Sequence, residues 1–142
     1  MSCKSPERCK KIADERQKNF IKVRSKAENI YFNIKKRYAA DEKDEKNVIT
    51  LTAHAQKRCV FRAFSETIDI EKVLKNGWVI DYNPGSPTYI TIMGYARQNR
   101  PMHIILGSDK TVRYWKIVTV YDPRTEEWRW SENYTKKICF CD

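Results

Sequence analysis

Two histidines and several arginines are the residues of this chain whose types are suited to catalysis. His54 opens the segment His-Ala-Gln-Lys-Arg at 54–58, and His103 follows much later within a strand-like run. Histidine titrates near neutral pH and arginine stays charged, so the two residue types together are suited to acid–base chemistry on a phosphodiester. Metal-free RNA cleavage needs a base for the 2′-hydroxyl, an acid for the leaving 5′-oxygen and cations between them. The two histidines would act as base and acid, in either order, if the fold brings them to one site.

Polar side chains on a strand near the C-terminus extend this candidate site. Residues two apart on a strand share a face, so Thr119 and Tyr121 point the same way. Arg113 and Trp115 share that face too if no bulge intervenes. An arginine there would hold the non-bridging oxygens of a phosphate through two hydrogen bonds.

Each candidate also has an ordinary explanation. His54 stands where a helix begins, so it is equally consistent with a capping role, and His103 with a core or solvent-facing strand position. Arg58 and Arg62, four apart on one helix face, are also typical of a solvated surface. Composition and spacing alone therefore predict no more than a basic α+β domain, with nucleic acid as a candidate ligand.

Composition narrows the class of protein. The 142 residues carry a net charge of +10, which favours an anionic partner such as nucleic acid, a membrane surface or an acidic protein; a merely solubilising surface is the alternative. No apolar run approaches the roughly 20 residues of a membrane-spanning helix, and the N-terminus lacks the apolar core of a secretory signal. These features predict a cytoplasmic protein, unless the chain is the excised tail of a larger secreted toxin.

Only four glycines are present, which excludes a Rossmann or P-loop nucleotide site.

The chain divides into a basic helical arm with a charged linker at 1–47 and a domain at 48–142. Apolar residues recur every three or four positions in the arm, which predicts one long helix with a narrow apolar stripe, ahead of a charged linker at 41–46. The stripe residues are Phe20, Val23, Ala27, Ile30, Ile34 and Tyr38. Such a helix must pack on the following domain, on a second copy of the chain or on another partner.

The domain has the pattern of an α+β fold. We predict a strand, two helices and then a four-stranded antiparallel meander, because turn signals separate the runs by short connections. The predicted strands are 48–52, 78–82, 89–95, 102–106 and 113–121, and the predicted helices are 53–62, with Thr52 as N-cap, and 68–75, capped by Ser65 or Thr67 and ended by Gly77.

The five cysteines argue against a secreted disulfide framework, because their number is odd and their spacing irregular. Cys3, Cys9, Cys139 and Cys141 would make a zinc site if the chain ends met, but neither pair has the usual Cys-x₂₋₄-Cys spacing. The sequence therefore favours free thiols near mobile termini and predicts no metal. Cys59 is most simply a small core residue.

The domain resembles a toxin–antitoxin-associated family with a His-Ala-x-x-Arg motif, similar to the RelE, ParE and BrnT toxins. The residues that carry the resemblance are 54–58 and Arg62, the helix end 70–77, Gly94, the Pro-Met-His-Ile-Ile run at 101–105, the Ile-Val-Thr-Val-Tyr-Asp-Pro run at 117–123, and Trp128. The family often has glycine after the second motif arginine, where this chain has Ala63.

The resemblance implies the barnase–EndoU–colicin–RelE ribonuclease fold. It implies the toxin of a toxin–antitoxin system, acting as a metal-independent endoribonuclease on mRNA or tRNA without a cofactor and neutralised by a cognate antitoxin protein. The implied catalytic residues are His54, His103, Arg58, Thr119 and Tyr121, with Arg62, Arg100 and Arg113 expected to bind RNA. The alternative is a non-catalytic nucleic-acid-binding or gyrase-poisoning module of the same fold. The extra N-terminal helix would dock the antitoxin or mediate dimerisation, or is the remnant of a larger toxin.

Overall fold

The computed structural model describes residues 2–40, 49–108 and 115–141 of the chain. The elements, in order, are α1 (Pro6–Ala40), β1 (Thr50–Leu51), α2 (Ala53–Phe61), α3 (Asp69–Asn76), β2 (Trp78–Asn83), β3 (Thr88–Tyr95), β4 (Pro101–Ser108) and β5 (Trp115–Tyr121), with short 3₁₀ turns at Arg97–Asn99 and Pro123–Arg129. The predicted helices and strands are confirmed within one or two residues where they fall on described residues; the charged linker at 41–46 lies outside them.

The strands form one five-stranded sheet in the order β1-β5-β4-β3-β2. Strands β2 to β5 pair with one another in antiparallel fashion, whereas β1 runs parallel to β5 with Thr50 opposite Lys116. The predicted α+β class and N-terminal helix are confirmed. The sheet is mixed rather than a purely antiparallel four-stranded meander, because β1 pairs along the edge of β5.

The arm and the domain share a hydrophobic core. Apolar residues of α1, including Phe20, Ala27 and Ile34, belong to the same buried cluster as those of α2, α3 and the sheet. The hydroxyl of Tyr31 in α1 donates to the carbonyl of Leu74 in α3 at 2.5 Å. The apolar stripe of α1 was expected to pack on the following domain, on a second copy of the chain or on another partner. In the structure it packs on the domain of the same chain.

Local hydrogen bonds set where the two short helices begin. Thr52 is the N-cap of α2, as predicted, and its side chain accepts from the backbone N–H of Ala55 at 3.1 Å. Helix α3 starts one residue later than predicted, and its N-cap residue, Ile68, has no side-chain capping hydrogen bond, so the predicted cap by Ser65 or Thr67 is wrong. The Ser65 hydroxyl instead accepts from the N–H of Ile68 at 3.1 Å in the turn before the helix. Among the described residues, no helix has the length and apolar character needed to cross a bilayer.

Candidate functional site

Helix α2 presents a row of functional side chains along one face. His54, Arg58 and Arg62 follow one another at four-residue spacing, so they lie on the same side of the helix and of the turn that ends it. Ala55 and Cys59 lie on another side and are buried against the sheet. Burial of this small-residue face leaves the row of His54 and the two arginines directed at a cleft.

Thr52 fixes this row against β5. Its backbone N–H donates to the carbonyl of Ile117 at 3.0 Å, and its hydroxyl donates to that of Val118 at 3.1 Å while accepting from Ala55. The N-cap thus joins the start of α2 to the middle of the neighbouring strand. His54, in the first turn, is held opposite the last residues of β5.

Strand β5 contributes Thr119 and Tyr121 to the opposite side of the cleft. The pairing of β4 with β5 shifts register between Ile105 and Leu106, so β5 bulges there. Trp115, before the bulge, is buried in the core and does not line the cleft with Thr119 and Tyr121; the conditional expectation of a common face therefore fails for it. Arg113 lies outside the described residues.

Residues 123–141, here called the C-terminal segment, close the cleft. The segment begins with the 3₁₀ turn Pro123–Arg129 and folds back through a bridge between Trp130 and Lys137. Arg129, Trp130 and Lys137 all line the cleft. These three residues were not among the predicted site residues, because the segment has no helical or strand periodicity. Its density of basic and aromatic residues was the available signal.

The cleft has a volume of about 560 Å³ and a positive lining. Its charged residues are the cations Arg58, Arg62, Arg129 and Lys137 and the carboxylate of Glu126. Glu126 is engaged by Arg129 at 2.7 Å. Within the described part of the chain, neither Arg58 nor Arg62 forms an ion pair. Uncompensated guanidinium groups facing a cleft are suited to bind a phosphate.

Tyr121 stands in the cleft as a protonated phenol. Burial first, and the carboxylate of Asp81 second, raise the pKa of Tyr121 well above its ordinary value. The phenol therefore keeps its proton throughout the physiological pH range. It can donate a hydrogen bond or a proton to a substrate oxygen.

His103 does not line the cleft, so the expectation that it shares an open site with His54 is wrong. Its side chain is fully buried, packed edge-on against Trp130 with ring centroids 4.4 Å apart and against Tyr121 at 5.1 Å. Nε2 lies 2.8 Å from the carbonyl oxygen of Tyr134. Burial lowers the pKa of His103 to about 4, although the carbonyl of Tyr134 and the charge of Asp122 oppose this shift. A neutral imidazole behind Tyr121 and Trp130 supports the cleft wall.

Arg100 also lies away from the cleft lining, in contrast to its expected contact with RNA. Its guanidinium donates to the carbonyls of Arg62 at 2.6 Å and Ala63 at 2.9 Å. It also stacks on Phe64, 4.2 Å from the ring centroid. Arg100 therefore holds the C-terminal end of α2, as Thr52 holds its start.

The cysteines near the two chain ends are brought together. The sulfur atoms of Cys3, Cys9, Cys139 and Cys141 all lie within 4.8 Å of one another. The described cysteines form no disulfide, as expected. The condition stated for a metal site, that the chain ends meet, is fulfilled, because the C-terminal segment returns to the start of α1. Cys59 is buried in the core, as predicted.

Comparison with known proteins gives one match. The sequence model of a family described as "Domain of unknown function (DUF4258)" matches residues 51–122, just over half of the chain. No curated protein and no solved structure is significantly similar to the chain. The matched range contains α2 and β5 with His54, Arg58, Thr119 and Tyr121, whereas the C-terminal segment and α1 lie outside it.

Proposed function

We propose that this chain, which belongs to the DUF4258 family, is a metal-independent endoribonuclease and the toxin of a toxin–antitoxin system. The observation that supports the proposal is the single cleft in which His54, Arg58 and Arg62 of α2 face Thr119 and Tyr121 of β5. Such a cleft combines an imidazole, unpaired cations and a protonated phenol. A RelE-like arrangement of helices on an antiparallel sheet is part of this proposal.

His54 acts as the general base in the proposed reaction. It takes the proton of a ribose 2′-hydroxyl, whose oxygen then attacks the adjacent phosphorus. As the new bond from the 2′-oxygen to phosphorus forms, the bond from phosphorus to the 5′-oxygen breaks. The products are a 2′,3′-cyclic phosphate and a free 5′-hydroxyl. General base catalysis by a positioned imidazole typically contributes about 10²–10⁴ in rate.

The remaining cleft residues serve the phosphate and the leaving group. Arg58 and Arg62 bind the non-bridging oxygens and stabilise the charge that grows on them. Tyr121 donates its proton to the departing 5′-oxygen and regains one from solvent, and Thr119 hydrogen-bonds the phosphate. His103 is a positioning residue, since it contacts the rings of Tyr121 and Trp130 from within the protein.

The cleft charge also bears on partners. Four cations against one carboxylate favour a polyanionic substrate such as RNA. A cognate antitoxin would neutralise the toxin by covering the same cleft with acidic side chains. Chemical modification of the cleft side chains with and without RNA identifies the residues that RNA covers.

Cleavage of RNA by the purified chain and its His54→Ala variant tests the proposal. Total RNA is incubated with each protein in EDTA, and the initial rate of strand scission is measured. We expect cleavage by the parent chain and a rate about 10²–10⁴ lower for His54→Ala. Gln56→Ala is the matched control, because Gln56 is exposed on the same helix but does not line the cleft.

Two outcomes contradict the proposal. One is cleavage that survives His54→Ala at the parent rate, which would assign the scission to a contaminant or another site. The other is a mobility shift of RNA or DNA without any scission, which would favour the non-catalytic binding module of the same fold.

A further inference from the structure

Four cysteine sulfurs from the two ends of the chain form a compact cluster. Cys3 precedes α1, Cys9 lies within its first turns, and Cys139 and Cys141 belong to the C-terminal segment. The Sγ atom of Cys141 lies 3.9 Å from that of Cys3 and 3.6 Å from that of Cys9, and Cys9 lies 4.0 Å from Cys139. All four sulfurs fall within 4.8 Å of one another.

These separations match a tetrahedral metal site. A zinc ion bound by four thiolates at about 2.3 Å places the sulfurs about 3.8 Å apart at the corners of a tetrahedron. A disulfide would instead hold two sulfurs about 2.05 Å apart. Three of the six sulfur–sulfur distances, at 3.6 to 4.0 Å, agree with the first geometry and are far too long for the second, and the other three do not exceed 4.8 Å.

The surroundings of the cluster suit a negatively charged tetrathiolate centre. The backbone N–H of Phe140 donates to the sulfur of Cys9 at 3.2 Å, the type of contact that stabilises a metal-bound thiolate. The guanidinium of Arg129 donates to the carbonyl of Cys141. Cys9 and Cys139 are buried, so solvent has limited access to the centre.

We propose that Cys3, Cys9, Cys139 and Cys141 bind one Zn²⁺ ion as a structural site that fastens the C-terminal segment to the start of α1. Four protein ligands leave no open position, which is the arrangement of a structural zinc site and not of a catalytic one. Zinc is the ion that tetrahedral sulfur ligands select, apart from iron–sulfur centres.

The site bears on the cleft because it anchors one of its walls. Two residues that line the cleft are close to Cys139 in the sequence: Phe140 follows it directly, and Lys137 lies two positions before it. Their positions therefore depend on the segment that the metal holds in place. The presence of zinc at this site does not depend on whether the cleft cleaves RNA, since none of the four ligands is assigned to catalysis.

Metal content of the full chain tests the inference without RNA. The protein is produced in zinc-supplemented medium under reducing conditions, and zinc per chain is measured by native mass spectrometry and elemental analysis. We expect about one zinc ion per chain, and about tenfold less in Cys9→Ser and in Cys139→Ser. Cys59→Ala is the matched control and retains the metal, because Cys59 lies in the core outside the cluster.

Cobalt substitution keeps the test decisive if a variant fails to fold. The parent chain, stripped of zinc and titrated with Co²⁺, is expected to develop the intense visible bands and the thiolate-to-cobalt charge-transfer bands of a tetrahedral sulfur site. A folded, reduced chain that holds no zinc and gives no such bands would overturn the proposal. A metal-free chain lighter by about 2 Da for each disulfide formed, or one that purifies with iron in place of zinc, would overturn it equally.

Discussion

His103 lies on the sheet face that the C-terminal segment covers, with Tyr121 and Trp130 between it and the cleft. Its burial could not be read from the strand pattern, because the covering residues come from a segment without periodicity. His54, Arg58 and Arg62 were predictable as a row, since four-residue spacing on a helix places side chains on one face. The sequence thus indicated the residue types of the site, and tertiary packing decided which histidine reaches the cleft.

Burial of His103 predicts an acid-sensitive contribution to stability. Its pKa falls to about 4 in the folded chain, against about 6.5 when unfolded. Between these values the unfolded chain binds a proton that the native state rejects, so stability is lost as the pH falls from about 6.5 to 4. The loss amounts to about 3 kcal/mol at most.

Urea unfolding of the parent chain and His103→Gln at pH 7 and pH 4.5 measures this contribution. We expect the parent chain to lose about 2–3 kcal/mol more than the variant on acidification. His54→Ala, which removes an exposed imidazole, should behave like the parent chain. Equal acid losses in the parent chain and His103→Gln would contradict the buried neutral imidazole.

At the level of elements, both ends of α2 are fixed to the rest of the fold. Thr52 ties the start to β5, and Arg100 binds the carbonyls at the end. The N-cap was predictable from local sequence, because threonine before a helix is a standard capping signal. The contact from Arg100 was not, since it joins residues 37 and 38 positions apart and depends on how the β3–β4 connection folds.

Ala63, at the turn after α2, adopts a left-handed backbone conformation with φ of 56°. This conformation costs an alanine more than a glycine, because the β-carbon crowds the backbone. We therefore expect Ala63→Gly to raise the free energy of unfolding by about 0.5–1 kcal/mol. Chemical denaturation monitored by circular dichroism measures the change.

Ala13→Gly is the matched control, because Ala13 lies within α1. A glycine in a helix interior lowers stability by about 1 kcal/mol, so the two substitutions should have opposite signs. Destabilisation by both would show that Ala63 is not strained in the folded protein.

On the scale of the whole molecule, the basic residues behind the net charge of +10 are spread along the sequence, and folding brings four of them to the lining of one cleft. The sequence predicted a basic α+β domain with a helical arm, and these features follow from periodicity and composition. The mixed sheet, the closure of the cleft by the C-terminal segment and the meeting of the chain ends could not be predicted. Each of them depends on contacts between residues far apart in the chain, for which local patterns carry no signal.

The cleft cations predict a salt-dependent affinity for single-stranded RNA. If Arg58, Arg62 and Lys137 contact phosphates, the slope of log K against log salt concentration should be about −2. Arg58→Ala should make the slope shallower by about 0.7, because one phosphate contact is lost. Fluorescence anisotropy with a 2′-O-methyl RNA, which cannot be cleaved, gives the slopes.

Arg24→Ala provides the comparison for this measurement. Arg24 is exposed on α1 and paired with Glu28 at 2.8 Å, away from the cleft. Its removal should leave the slope unchanged. An equal effect of Arg24→Ala and Arg58→Ala would mean that RNA binds through diffuse surface charge and not in the cleft.

Identification of the product ends tests the ribonuclease proposal most directly. An RNA oligonucleotide is cleaved in EDTA, its fragments are identified by mass spectrometry, and the reaction is repeated with a 2′-deoxy sugar at the scissile nucleotide. We predict fragments that end in a 2′,3′-cyclic phosphate and a 5′-hydroxyl, with no scission at the deoxy position and scission about 10²–10⁴ slower in His54→Ala. Fragments with 3′-hydroxyl and 5′-phosphate ends, or scission that persists at the deoxy position, would contradict the proposed reaction.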